Sequence, residues 1–218
     1  MPLPDDPTLD ELRPALALAM LPHVPFDGWS DAALVAAARD LGVDPAVARL
    51  AFPGGAADMV AAYIRAADSA LLAACDTPEF RAMKVREKVT AAIRTRLEAA
   101  APHREAVRRA AAILALPANV PLAARLTWGT ADAIWRAAGD TATDLNYYSK
   151  RAIAGAVYSA TLFYWLGDES EGFADTWAFL DRRIAGVMRF EKWKAGLRPS
   201  GERPSLVRFL GRLRYPAS

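Results

Sequence analysis

The sequence predicts an all-α protein, and three observations carry that prediction. Alanine fills 48 of the 218 positions, accompanied by Leu, Arg and Glu, all strong helix formers. Apolar residues recur with the 3.6-residue helical period. No run of any length alternates apolar and polar residues as a half-buried strand does.

Proline and glycine cut the chain into helical lengths. A first helix is expected to run to about Met20, with Pro14 marking or disturbing its start. Leu21 to Pro25 ends it, and His23 in this proline-flanked turn reads as a structural hydrogen-bonding group. Ser30 is a good N-cap for a helix to about Leu41, closed by Gly42. Asp44-Pro45 pairs an N-cap with proline at the first helical position, opening a short helix that ends near Phe52. A longer helix follows to about Cys75, a residue read as a small buried hydrophobe. Thr77-Pro78 starts the next helix, expected to continue unbroken through Leu97 to Ala100. Pro102 opens another, ending before Pro117. The stretch from Pro121 to Pro199 holds no proline and divides at Gly139-Asp140 and Gly167-Asp168 into three long helices. Asp140, Asp144 and Asp168-Glu169 lie near helix starts, where carboxylates cap free amides and favour the dipole.

Composition excludes several classes. One cysteine rules out an internal disulfide framework and any CxxC knuckle, and two distant histidines rule out a His-rich metal site. No nucleophile elbow, phosphate loop or HExxH motif is present, so neither catalysis nor a cofactor or metal is expected. No apolar run reaches the roughly 18 residues of a membrane span. The acidic start predicts neither a secretory signal nor a basic transit peptide. The expected location is cytoplasmic.

Three features stand above this background. Ser30 to Phe52 has the shape of a helix-turn-helix. Its second helix carries Arg49 as its only cation, too few for reading base edges, so DNA is not the expected partner. Aromatic residues crowd the interval from Trp128 to Trp193, which holds 13 of the 20. They would line an apolar cavity, form a partner surface or simply pack a core. Two stripes organise them: Tyr147, Arg151, Ala154, Tyr158, Leu162 and Trp165, then Phe173, Trp177, Leu180, Ile184 and Val187. Finally, charge is split: residues 182–218 carry +8 and residues 1–181 carry −6. In the tail, Leu206, Phe209, Leu210 and Leu213 share a helical face beside Arg208, Arg212 and Arg214. Such a basic amphipathic helix suits a membrane interface. Nucleic acid or docking on the body are the competing readings of the same charge.

Two segments carry a resemblance. One is Leu21-Pro-His-Val-Pro-Phe-Asp-Gly-Trp-Ser30, continuing to the Phe52-Pro-Gly-Gly turn. The other is Trp135-Arg-Ala-Ala-Gly-Asp-Thr-Ala-Thr-Asp-Leu-Asn-Tyr-Tyr-Ser-Lys-Arg151, followed by Asp175 to Ile184. Over roughly residues 10–195 the chain resembles the Coq-nine family of ubiquinone-biosynthesis proteins, lipid-binding proteins with the fold of TetR-type regulators.

The resemblance implies a TetR-like bundle of about nine helices, with an N-terminal helix-turn-helix and a C-terminal amphipathic helix. It implies a helix-turn-helix-like subdomain over 1–54, a lipid-binding and dimerisation body over 55–196, and a tether with the basic helix over 197–218. The implied lipid pocket takes Leu122, Leu126, Trp128 and Trp135 from one helix and Tyr158, Leu162 and Trp165 from the next. Its ligand would be a lipid or isoprenoid quinone. The implied homodimer is built through Phe173, Trp177, Leu180 and Ile184. The implied partner surface, facing a diiron demethoxyubiquinone-type hydroxylase, comprises Asp144, Asn146, Tyr147, Tyr148, Lys150 and Arg151. Tyr147 departs from the family's commoner Trp, keeping an amphipathic anchor but losing area. The function so implied is non-catalytic: a quinone intermediate is lifted from the membrane and presented to that hydroxylase. The location implied is peripheral to a membrane, bacterial, or on the mitochondrial matrix side in a eukaryote. A ligand-responsive transcription regulator of the TetR type is the alternative.

Overall fold

A computed structural model describes Pro4, residues 7–140 and residues 145–196. Among the described residues every regular element is helical. The chain divides into two units, Met1–Ile184 and Ala185–Ser218.

The N-terminal part holds α1 (Leu9–Ala19), α2 (Val24–Asp27), α3 (Asp31–Asp40) and α4 (Pro45–Leu50). Thr8 and Glu11 form a capping box that starts α1 upstream of Pro14, so Pro14 lies inside the helix rather than at its start. Burial of Leu12, Leu16 and Ala17 holds that helix together across the proline. The Leu21 to Pro25 turn contains α2, a short helix that local sequence did not separate from a turn. His23 there sits 2.7 Å from the Asp40 carboxylate, a structural pairing as expected. Ser30 caps α3, Asp44 caps α4, and Gly42 takes a φ of +67° between them.

The body is built around α5 (Ala56–Ala74), which packs on α1 and on α9 (Val120–Ala137). Cys75, at the end of α5, is buried, and burial pushes its thiol pKa up. The single helix expected from Thr77 to Ala100 is two: α6 (Pro78–Ala82) and α7 (Val85–Ala100), with Met83 extended between them. Helical phase explains the break. Phe80 and Val89 are nine residues apart, about half a turn out of register at roughly 100° per residue, yet both are buried. A straight helix would expose one of them.

Next come α8 (Arg104–Leu114), α9, α10 (Leu145–Gly167) and α11 (Ala174–Gly196). The three-helix division after Pro121 holds. α9 and α10 approach closely at Gly155, where an added Cβ would lie 3.3 Å from Thr127 Cγ2. Phe173 precedes α11 and takes a φ of +58°, so it does not continue the α11 stripe as its spacing suggested. Among the described residues no single helix is long and apolar enough to cross a membrane. The tail residues Leu206, Arg208, Phe209, Leu210, Arg212, Leu213 and Arg214 lie outside the described residues.

Candidate ligand cavity and aromatic surface

Helices α5, α7, α8, α9 and α10 enclose a cavity of about 220 Å³. Apolar walls come from Leu97, Val107, Leu114, Leu126 and Leu162, and exposed Phe163 stands on its rim. Helical period explains the convergence: each element turns one apolar stripe to the same interior. Three of the expected pocket residues are walls of this cavity: Leu126, Tyr158 and Leu162. The other four are elsewhere. Leu122 is half-buried and outside the lining, and Trp165 is fully buried against Phe173 at 5.7 Å. Trp128 and Trp135 belong to a separate surface described below.

One polar cluster interrupts the apolar lining. Arg96 is 5% exposed and its Nε donates to Asp68 at 3.2 Å. Its Nη2 reaches the Ile64 carbonyl at 3.5 Å. Thr130 donates its hydroxyl to the same Asp68 carboxylate at 3.0 Å. Tyr63 and Tyr158 also line the cavity with Arg96, and Thr127 and Ser159 add two further hydroxyl side chains to its walls. Burial pushes the Asp68 carboxyl up, against the pull of Arg96, and burial likewise raises both phenols. Burial works against the Arg96 charge too, but Tyr158, Asp68 and Tyr63 outweigh it and its pKa rises.

None of Arg96, Asp68 and Thr130 was singled out in the sequence, although a signal exists. Arg96 falls in phase with Val89, Ala92, Ile93 and Ala100, so it is a cation on a buried face. Such a residue needs a buried partner, and only the fold brings Asp68 to it from α5.

The second assembly is an aromatic surface where α9 meets the start of α10. Trp128, Tyr147 and Tyr148 form a cluster, with Tyr147 and Tyr148 edge-to-face at 5.1 Å and Trp128 6.1 Å from Tyr148. Tyr148 is 61% exposed and Trp128 37%. Lys150 is half-buried, pairs with Asp140 at 2.7 Å and lies over the Trp135 ring. Asp140, expected as a cap, is also an ion-pair partner of Lys150 and Arg151. Arg151 corrects the expectation of an exposed partner residue. It is 3% exposed, donates to Asp132 at 2.7 Å and to Asp140 at 3.2 Å, and stacks under Tyr147. Burial opposes its charge, but the two carboxylates outweigh that and raise its pKa. Arg151 therefore supports the patch from beneath and holds Tyr147 in place. Asp144, and the side chain of Asn146, lie outside the described residues.

The implied dimer residues need a similar correction. Leu180 and Ile184 are buried within the protomer, as core side chains. Half-buried Trp177 is engaged locally: its indole donates to the Gly172 carbonyl at 2.8 Å and Arg94 covers its ring. At the helix-turn-helix, both Arg49 nitrogens donate to Asp31, at 2.7 and 2.9 Å. The sole cation of that second helix is thus already ion-paired within the protein.

Comparison with known proteins adds the following. The COQ9 family model matches residues 120–191. The human mitochondrial ubiquinone biosynthesis protein COQ9 is 28% identical over 200 residues, which is 88% of this chain and 63% of that protein. The rat protein of the same name is 30% identical over 202 residues, 88% of this chain and 64% of its own length. That of Xenopus tropicalis is 31% identical over 82% of this chain and 58% of its own. The chain thus spans less than two thirds of the length of these curated relatives. Among solved structures, a TetR transcriptional regulator from Nitrosomonas europaea superposes with a TM-score of 0.64. It is 22% identical, over 80% of this chain and 97% of that one, and so shows a common TetR-like fold.

Proposed function

The chain belongs to the COQ9 family, and from that premise we propose that it serves ubiquinone biosynthesis as a non-catalytic lipid-binding accessory protein. It takes an isoprenoid lipid or quinone intermediate into the α5–α10 cavity and presents it to a diiron hydroxylase at a membrane surface. The observation that carries this reading is the cavity itself: apolar walls with one convergent polar cluster, the arrangement typical of small-molecule sites. Moving an apolar chain from water into such walls gains about 25 cal/mol per Å².

The Trp128–Tyr147–Tyr148 patch supports the partner role. Exposed aromatics on a rigid base are enriched at interfaces, and Arg151 provides that base. The basic amphipathic tail supports attachment to an anionic bilayer, matrix-side in a mitochondrion or cytoplasmic in a bacterium. A homodimer would use faces of α10 and α11 other than Leu180 and Ile184. The regulator alternative finds little support at the second helix, whose sole cation, Arg49, is already ion-paired with Asp31.

The test is lipid mass spectrometry on natively purified full-length protein. Co-purified isoprenoid is the expected result. Repeated absence of any bound lipid would overturn the reading.

A further inference from the structure

A second cavity, of about 260 Å³, lies between α1, α5 and α7. It opens to the surface, since Leu18, Ala70 and Ala99 on its walls are exposed; Ala67 and Leu71 lie deeper, with Thr95 and His103 among the few polar groups. Three residues line both cavities: Tyr63, Arg96 and Ala100. Two long side chains and one methyl group therefore separate the two spaces.

Size gives the second cavity a purpose. The first, at about 220 Å³, falls below the roughly 300–1,000 Å³ of usual ligand pockets. A cavity of about 150 Å³ holds only a benzene-sized group. A space of this size encloses only part of a chain of several isoprene units. We propose that the second cavity takes the far end of the ligand's apolar chain, reached past the Tyr63–Arg96 partition. The proposal rests on the lipid-binding reading above and adds a second compartment to it.

The partition suits this task. Its guanidinium is pinned at one side by Asp68, which Thr130 holds in turn. The methylenes of an arginine stem offer an apolar flank to a passing chain while the charged head stays paired. On this proposal the ligand's chain passes between the Tyr63 ring and the Arg96 stem while the guanidinium keeps its Asp68 partner, and the alanines beyond leave the room.

Geraniol and geranylgeraniol, with two and four isoprene units, separate the compartments. Their binding to the full chain is measured by calorimetry for the wild type, Ala67→Leu and Ala70→Phe, with circular dichroism melting to check the fold. Both substitutions put bulk into the second cavity and leave the first untouched. The expected result is geraniol binding unchanged and geranylgeraniol binding weakened about tenfold or more. Equal weakening of both, or of neither, would overturn the second compartment while leaving lipid binding intact. A wild type that binds neither prenol overturns the lipid reading and this proposal with it. Ala70 is exposed on α5, so Ala70→Phe answers the question if Ala67→Leu fails to fold.

Discussion

Asp168 shows how a single side chain joins two helices. It is buried after the end of α10 and accepts the Ser170 and Thr176 amides at 2.8 and 2.9 Å. It also accepts the Thr176 hydroxyl, in effect capping α11 from outside the helix. Burial opposes the charge, but these hydrogen bonds outweigh it and hold the carboxyl well below its ordinary range. Asp168→Asn is expected to cost about 3 kcal/mol, since bonds to a charged acceptor are each worth about 1.5–3; urea titration checks it. The pH dependence follows from the direction of the shift. A depressed folded pKa means that the contribution is complete above the ordinary carboxylate value near 4. It is lost as pH falls from there toward the folded value. The wild type is therefore expected to lose its advantage over Asp168→Asn on acidification below about pH 4. A constant difference between the two across pH 2–6 would contradict the assignment. The role of Asp168 near a helix start was legible in the sequence. Its three donors were not, because Thr176 reaches it only through the Gly172–Phe173 bend, where both residues take positive φ.

Two helix boundaries show why elements need their neighbours. The Met83 break is dictated by Phe80 and Val89 seeking one interior from opposite phases. No proline or glycine announced it. The end of α10 is held by α8. Arg104 donates to the Trp165 and Asp168 carbonyls, both at 2.6 Å, and Arg108 donates to the Leu166 carbonyl. Carbonyls at a helix C-terminus lack regular intrahelical partners, and cations there also interact favourably with the dipole. Arg104→Met is expected to cost about 1–3 kcal/mol. It should also speed amide exchange in the loop between α10 and α11, where Asp168 and Ser170 are hydrogen bonded. Protection unchanged in that loop would show that Arg104 does not hold the α10 end. The helix-turn-helix yields its own prediction. With Arg49 tied to Asp31, a gel shift with the DNA upstream of its own coding sequence should give no specific complex at physiological salt. A specific, salt-resistant complex would restore the regulator reading.

At the scale of the molecule, the tail and the body are expected to do separate work. A chain ending at Gly196 loses Arg208, Arg212 and Arg214, each worth about 1 kcal/mol beside anionic lipid. Flotation with anionic vesicles is expected to fall by about a hundredfold in affinity, and high salt should imitate the truncation. Equal flotation of both chains would place membrane attachment in the body. Composition and period by themselves determined the helical class, the helix-turn-helix and its lack of basic chemistry, and the single stripe that runs along α10. Those properties follow from local propensity and from a repeat that one strand of sequence contains. Tertiary structure decided which stripes meet. It put Tyr158 and Leu162 in a cavity, Trp165 in the core, and Trp128 beside Tyr147 on the surface. It sank Arg151 under Tyr147 and brought Asp68 to Arg96 across 28 positions of chain. Burial and charge pairing are properties of packed neighbours distant in sequence, so period identifies a face but not what that face will meet.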